Sequence, residues 1–328
     1  MVLERPARDG PPPLIAEDRD DLGAGSGQLL LEVTACAACR TDLQLVRGDL
    51  TAHRLPVIPG HQVVGRVAQV GADVDGWSTG DRAGAFWLAS SCGICDACAT
   101  DRENLCAEAR FTGWDVDGGY ATRMLVRADF ALRLPDGPPQ DLAPLLCGGV
   151  IGYRALKRSG IQPRQRLGLY GFGASASLAI QVARFWGCEV YVATRAERDR
   201  VRALEMGATW AGGVTERPPA ALHAAVTFAP AGSVVIAALQ ALDRGGTVAI
   251  NAIHLDQVPA FDYDDLWWER SITSVANVTR RDAREFLELA EQIGIQTNPL
   301  PYPLEDAARA LEDLEAGVIG AGAAVLQT

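Results

Sequence analysis

Four thiols fall within the fifteen residues from Cys92 to Cys106, as Cys92-Gly93-Ile94-Cys95-Asp96-Ala97-Cys98 and then Cys106. A Cys-x-x-Cys step turns two sulfurs back on one point, and Zn²⁺ takes four thiolates tetrahedrally at ~2.3 Å. Gly93, Asp96 and Ala97 are small or polar and suit a knuckle wrapped around an ion. The competing reading is two disulfides in a secreted loop, and nothing else in the sequence looks secreted. A closed four-thiolate site leaves no open position. This zinc is expected to be structural, with the chemistry elsewhere.

A second stretch, Gly171-Phe172-Gly173-Ala174-Ser175-Ala176, follows an apolar run and opens a helical one. The first glycine permits a tight turn and the second lets backbone approach a pyrophosphate. The third position needs only a small residue, so Ala176 serves. Helix amides, those of Ala174 and Ser175 included, then hold the phosphates. The competing reading is a glycine turn without a ligand. The next strand ends Ala193-Thr194-Arg195, where an NAD site usually carries Asp or Glu for the ribose 2′-hydroxyl. Neither is present. Thr194 can donate a hydrogen bond, and Arg195, helped by Arg198, supplies a cation for a 2′-phosphate, which favours NADP over NAD. A solvated basic helix start is the plainer alternative, more so for Arg198 than for Arg195.

The elements that must position these groups fall into two textures. Runs at 28–36, Val63–Val70 and Tyr120–Val126 read as strands among many glycine turns, an irregular β-rich region. From about residue 148, strand candidates Arg166–Tyr170, Glu189–Ala193, Ala224–Phe228, Thr247–Asn251 and Ser271–Val275 alternate with helical spacing at 175–186, 196–206 and 232–242. Such alternation predicts an α/β fold with a parallel sheet covered on both faces. Helical spacing returns at 281–293 and 305–316. The 328 residues are 48% hydrophobic and 22% charged, ample for two domains. A formal net charge of −11 argues against a nucleic-acid surface. No apolar run approaches the roughly 20 residues that span a bilayer. The start has no basic-then-apolar signal layout, with Pro11–Pro13 and the acidic run Glu17–Asp21 following at once. A soluble cytoplasmic protein is expected, with its eight cysteines as ligands or buried thiols.

Cys39-Arg40-Thr41-Asp42, Pro59-Gly60-His61-Gln62 and Cys147-Gly148-Gly149 remain. With these, the chain resembles a zinc-dependent alcohol dehydrogenase of the medium-chain dehydrogenase/reductase superfamily. The matching stretches are Cys39–Asp42, Pro59–Val64, Gly80-Asp81-Arg82, Cys92–Cys106, Gly118-Gly119-Tyr120, Cys147–Tyr153 and Gly171–Ala176, in the family's order. The resemblance implies a β-rich, GroES-like catalytic domain over 1–148, rejoined by 279–328, and a doubly wound Rossmann domain over 149–278. It implies two zincs per chain, the second held by Cys39, His61 and Cys147 with one position open for catalysis. Thr41 matches the hydroxyl that passes the alcohol proton, Asp42 the carboxylate that orients the ligands, and Arg40 a contact to the cofactor pyrophosphate. Trp87 and Leu88 fall where the family lines its substrate pocket. Such a zinc lowers the pKa of a bound hydroxyl from ~16 toward ~7 while the nicotinamide takes the hydride.

Two positions depart from the family's pattern. Gln62 stands where Glu is frequent, and Gln44 where a histidine usually ends the proton relay, so Gln44 cannot act as a base. His254 could face the nicotinamide or sit in a polar loop. His53 has no assigned role, and Cys36 and Cys188 read as buried thiols. The expected partners are a small alcohol or carbonyl compound and further copies of the chain, as a dimer or tetramer, with NAD possible in place of NADP. The rival readings are an enone or quinone reductase from the superfamily's zinc-free branch and a zinc-bearing NADPH-binding protein without turnover.

Overall fold

A computed structural model describes residues 1–20 and 22–328; Asp21, in the acidic run, lies outside the described residues. The chain forms two compact units. The first comprises Met1–Cys147, Asn277–Glu288 and Gln296–Thr328, the second Gly148–Ala276 and Leu289–Ile295.

The first unit is built on the strand Gln28–Ala37. Leu29, Leu31, Val33 and Ala35 alternate along one face with Leu30 and Cys36 on the other, and all six are buried. A strand apolar on both faces is central in its sheet. It pairs antiparallel with Val63–Val70, with Arg123–Arg127 and with Ala323–Gln327. The expected strand from Tyr120 begins only at Arg123. The amides of Gly118, Gly119 and Tyr120 are spent on the carbonyls of Ile58, Gly60 and Pro59, at 2.7, 2.9 and 3.0 Å. That lashing fixes the backbone just before His61.

The second unit holds a six-stranded parallel sheet. Counted along the chain its strands are Arg166–Tyr170, Glu189–Ala193, Trp210–Gly212, Leu222–Thr227, Leu242–Ile250 and Ser271–Ser274, in spatial order 3-2-1-4-5-6. That is the Rossmann order, with its switch point at the first strand. The two strands flanking the glycine loop lie where the apolar runs put them. The strand Trp210–Gly212 is too short to announce itself by alternation. The helix Gly148–Ser159 is also unannounced, because it opens on Gly148-Gly149, which weakens helical propensity. Among the described residues no helix is long and apolar enough to cross a membrane.

Candidate active site

The site begins with a helix start. Arg40–Arg47 is an eight-residue helix whose N-cap is Cys39. The Cys39 sulfur accepts from the Thr41 amide at 3.3 Å, and Asp42 reaches back to the Cys39 amide at 2.9 Å. The two bonds form a capping box with sulfur in place of the usual hydroxyl. Leu43, Leu45 and Val46 bury one side of the helix, and Gly48 closes it in the left-handed conformation.

The same carboxylate then crosses to a second segment. Asp42 Oδ1 accepts from the Gly60 amide at 3.2 Å and lies 3.1 Å from His61 Nδ1. Gly60 has φ +96°, and a Cβ there would come 2.4 Å from the Tyr120 ring, so only glycine fits. With Nδ1–H given to Asp42, His61 turns Nε2 toward the Cys39 sulfur, 3.3 Å away. Cys147 completes the set, and its sulfur, that of Cys39 and the imidazole all lie within 4.8 Å of one another. Two soft thiols and an imidazole with its outer nitrogen held by a carboxylate form a zinc donor set.

Charge in the metal-free cluster is strongly organised. The hydrogen bond from the Cys147 thiol, helped by His61 and opposed by burial, brings Cys39 down to about 5. That bond to Cys39 and burial push Cys147 well above the ordinary thiol range. Burial disfavours an imidazolium, yet Asp42 and Cys39 outweigh it and raise His61 to about 10. At neutral pH the metal-free trio is therefore thiolate, imidazolium and thiol.

The knuckle is a separate site. Cys95 and Cys98 sulfurs are 3.6 Å apart, Cys92 and Cys98 3.9 Å. A tetrahedron of ~2.3 Å zinc–sulfur bonds has edges of ~3.8 Å. Cys106 joins the three within the same 4.8 Å limit. The knuckle sulfurs stand at metal-ligand spacing, well beyond the ~2.05 Å of a disulfide bond.

In the second unit, Gly173 caps the helix Ala174–Phe185 with no side chain bonded to its first amides. A Cβ on Gly173 would meet nothing within 4 Å. The helix start thus faces open space with free donors, which fits a pyrophosphate. Ala176 is fully buried behind it. Thr194 is 5% exposed at the end of the second strand. Arg195 is exposed, with no ion pair among the described residues. Arg198 is exposed and lies 3.9 Å from Asp199. Arg200, which sequence reasoning passed over, donates to the carbonyls of Thr194 and Arg195 and pairs with Glu197, holding the strand end in shape.

Other expected positions divide. Arg40 is exposed on the helix start, while Thr41 and Gln44 are half-buried along it. Gln62 donates to the Ala37 carbonyl at 3.0 Å, so its amide braces the central strand. Trp87 meets His61 edge-on at 4.6 Å between centroids, and Leu88 beside it is buried, 1% exposed. Phe111 and Trp114 join Trp87, their centroids 5.5 and 5.7 Å from it. No spacing rule groups residues 87, 111 and 114. His254 is exposed in a loop of the second unit.

Comparison with known proteins agrees with this geometry. Residues 25–136 match the family model of the alcohol dehydrogenase GroES-like domain. The chain is 51% identical over 306 residues to the probable alcohol dehydrogenase AdhA of Mycobacterium tuberculosis (strain CDC 1551 / Oshkosh), covering 91% of this chain and 88% of the relative. It is 34% identical over 303 residues to an alcohol dehydrogenase of Geobacillus stearothermophilus, covering 89% of each. In fold it superposes on the alcohol dehydrogenase of the archaeon Aeropyrum pernix with a TM-score of 0.87 at 24% identity, over 100% of this chain and 99% of that one.

Proposed function

This chain belongs to the zinc-binding alcohol dehydrogenase family of the medium-chain dehydrogenases and reductases, and from that membership we propose that it moves a hydride between a nicotinamide cofactor, NADP in preference to NAD, and a primary or secondary alcohol or the matching aldehyde or ketone. The observation that carries this is the convergence of Cys39, His61 and Cys147 from three distant stretches, with Asp42 holding the outer nitrogen of His61. A three-donor set leaves a fourth position for substrate, unlike the closed knuckle. It also argues against the zinc-free branch of the superfamily.

Zinc there would supply Lewis acidity, and the nicotinamide the hydride acceptor or donor. The chain's own residues do the rest. Cys39, His61 and Cys147 would hold the ion. Asp42 fixes the His61 tautomer and the helix that carries Thr41. Thr41 Oγ1 accepts the alcohol proton and hands on its own, being both donor and acceptor. Gln44 takes no part as a base. The free amides after Gly173 would hold the pyrophosphate, and Arg195 would meet a 2′-phosphate. Eight free thiols support a reducing, cytoplasmic setting. The outer edge of strand Ser271–Ser274, with Tyr263, Trp267 and Trp268 exposed nearby, supports a homo-oligomer.

The test is metal analysis with a panel of alcohols and aldehydes assayed with both cofactors. Two zincs per chain and turnover with NADPH ahead of NADH are expected. Fewer than two zincs, or no turnover with either cofactor, would remove the reading. NADH used at least as well as NADPH would remove the role of Arg195.

A further inference from the structure

The chain has 30 lysine and arginine residues, and Lys157 is the only lysine among them. Part of this excess of arginine has a local reason. Arg47 forks onto Glu315 and Arg127 onto Asp129, each with two nitrogens on two oxygens. Arg133, Arg244 and Arg280 lie over the rings of Trp77, Trp268 and Phe130 at 4.3, 3.8 and 4.5 Å. Forks and stacks call for a planar guanidinium. Other positions do not. Arg281 lies 3.1 Å from Asp101 and Arg309 lies 3.9 Å from Asp313, with side chains 59% and 70% exposed. Arg284 is exposed on the helix Arg280–Ile293. A lysine ammonium serves such exposed places as well.

The other nucleophiles of the chain are withdrawn. Cys36 and Cys188 are 1% and 8% exposed, and the remaining six cysteines belong to the two metal-ligand groups. His61 is one of those ligands, and His223 accepts from the Arg166 amide at 3.0 Å. His53 and His254 are exposed, but an imidazole nitrogen forms no imine. The α-amino group of Met1 donates to the Tyr120 carbonyl at 2.6 Å. Lys157 is exposed in the last turn of the helix Gly148–Ser159, its Nζ 5.3 Å from the centre of the Tyr153 ring.

This distribution matters to one class of reagent. An aldehyde condenses with a neutral primary amine. The nitrogen attacks the carbonyl carbon, the carbinolamine loses water, and a C=N bond replaces C=O. The carbonyl oxygen and both amine hydrogens leave as that water, with no oxidation or reduction. At pH 7 about one lysine in 2,500 is neutral, and a guanidinium is neutral at least about a hundredfold less often. An arginine surface is therefore nearly inert where a lysine surface reacts.

We propose that the chain is proofed against the aldehyde of its own reaction, with Lys157 as the one side-chain amine on which that aldehyde condenses. The inference rests on the alcohol dehydrogenase reading above, since every turnover of a primary alcohol and its aldehyde brings the aldehyde to the protein. Condensation at Lys157 replaces a cation by an alkyl imine in the last helical turn, where Arg158 still faces the helix C-terminus with a positive charge. On a surface rich in lysine the same chemistry would strip many ion pairs of their cations and leave apolar chains in their place.

The experiment compares the zinc-loaded parent, Lys157→Arg, and a triple variant carrying Arg281→Lys, Arg284→Lys and Arg309→Lys. Each is incubated with excess butanal, quenched with borohydride to fix imines as amines, and mapped by peptide mass. One butylated side chain is expected in the parent, at Lys157, none in Lys157→Arg, and up to four in the triple variant. Turnover in butanal is expected to decay about fourfold faster in the triple variant than in the parent, in step with four lysines of like pKa against one. The melting temperature after treatment is expected to fall in the triple variant and to hold in the other two. Butylation of Met1 ahead of Lys157, or of any other side chain in the parent, overturns the assignment of Lys157. Equal decay of parent and triple variant overturns the protection and leaves the arginine excess a matter of composition. Mapping and melting require no turnover. If the parent endures butanal and yet oxidises no alcohol with either cofactor, the inert surface stands and the alcohol dehydrogenase reading falls.

Discussion

Thr41 is half-buried two residues after a zinc ligand, with its amide committed to the Cys39 sulfur and its hydroxyl available. Valine keeps the shape and loses the proton chemistry. Thr41→Val is expected to keep both zincs and to lower kcat and kcat/KM together by ~10²–10⁴. Steady-state kinetics checks this, and turnover within a few-fold of the parent would make Thr41 structural. A second expectation follows from the protons on the ligands. His61, raised to about 10, and Cys147, raised well above the thiol range, both hold protons at pH 7 without metal, while Cys39, lowered to about 5, does not. Zinc needs all three deprotonated, so loading releases two protons, and zinc affinity falls roughly a hundredfold per unit drop in pH near neutrality. Chelation in weak buffer with a pH indicator, parent minus Cys39→Ser, should read an uptake of two protons; none would contradict the charge pattern. The ligands themselves were legible at this scale, because Cys-x-x-Cys spacing and the family's motifs mark them. The orientation of Gln62 was not. Its amide serves the Ala37 carbonyl, a partner 25 positions earlier that only the folded sheet supplies.

Between residue and whole chain, the helix Arg40–Arg47 does more than its eight residues suggest. Its last residue, Arg47, forks onto Glu315 at 3.2 and 2.6 Å, tying it to the helix Ala307–Glu315. The fork with Arg47 holds the Glu315 carboxyl below its ordinary range. A depressed carboxylate contributes stability above its unfolded pKa and loses it as pH falls through the folded value. Glu315 is 44% exposed, so screening keeps the gain to ~0.5–1 kcal/mol. Glu315→Gln should show that deficit in urea melts at pH 7 and lose it once the carboxyl is protonated. An equal deficit at neutral and acid pH would assign the effect to packing. The helix had been hidden in the sequence because two turns carry too little periodicity, while its capping box uses a cysteine in place of the usual hydroxyl. Strands Arg166–Tyr170 and Glu189–Ala193 were legible to the residue, each a short apolar run bounded by turn signals. The grouping of three aromatic rings beside His61 was not, since Trp87, Phe111 and Trp114 meet through loops whose spacing follows no helix or strand period.

For the whole molecule, the six-stranded sheet ends on Ser271–Ser274, an edge with no charge and no proline. Such edges invite pairing with another copy. Tyr263, Trp267 and Trp268 stand 66%, 55% and 46% exposed just before it. A homodimer through this edge is expected in light scattering, and Trp267→Glu is expected to shift it toward monomer; a parent monomeric at micromolar concentration would sink the idea. The two-part fold was legible because the texture of the sequence changes near residue 148. That both flanks of the chain build the first sheet came only from the family resemblance, since pairings so distant leave no local pattern. They do leave a mark in time. The Thr328 hydroxyl bonds to the carbonyl of Val33, 295 positions earlier, beside the pairing of Val325 with Ala37. At ribosomal speeds of ~5–20 residues per second, the central strand waits roughly 15–60 s for that neighbour. Throughout the wait Cys39 is already synthesised but the sheet beside it lacks a strand, whereas the Rossmann sheet is complete by Ser274. The nascent protein therefore has its nucleotide-binding half finished before its catalytic half can close.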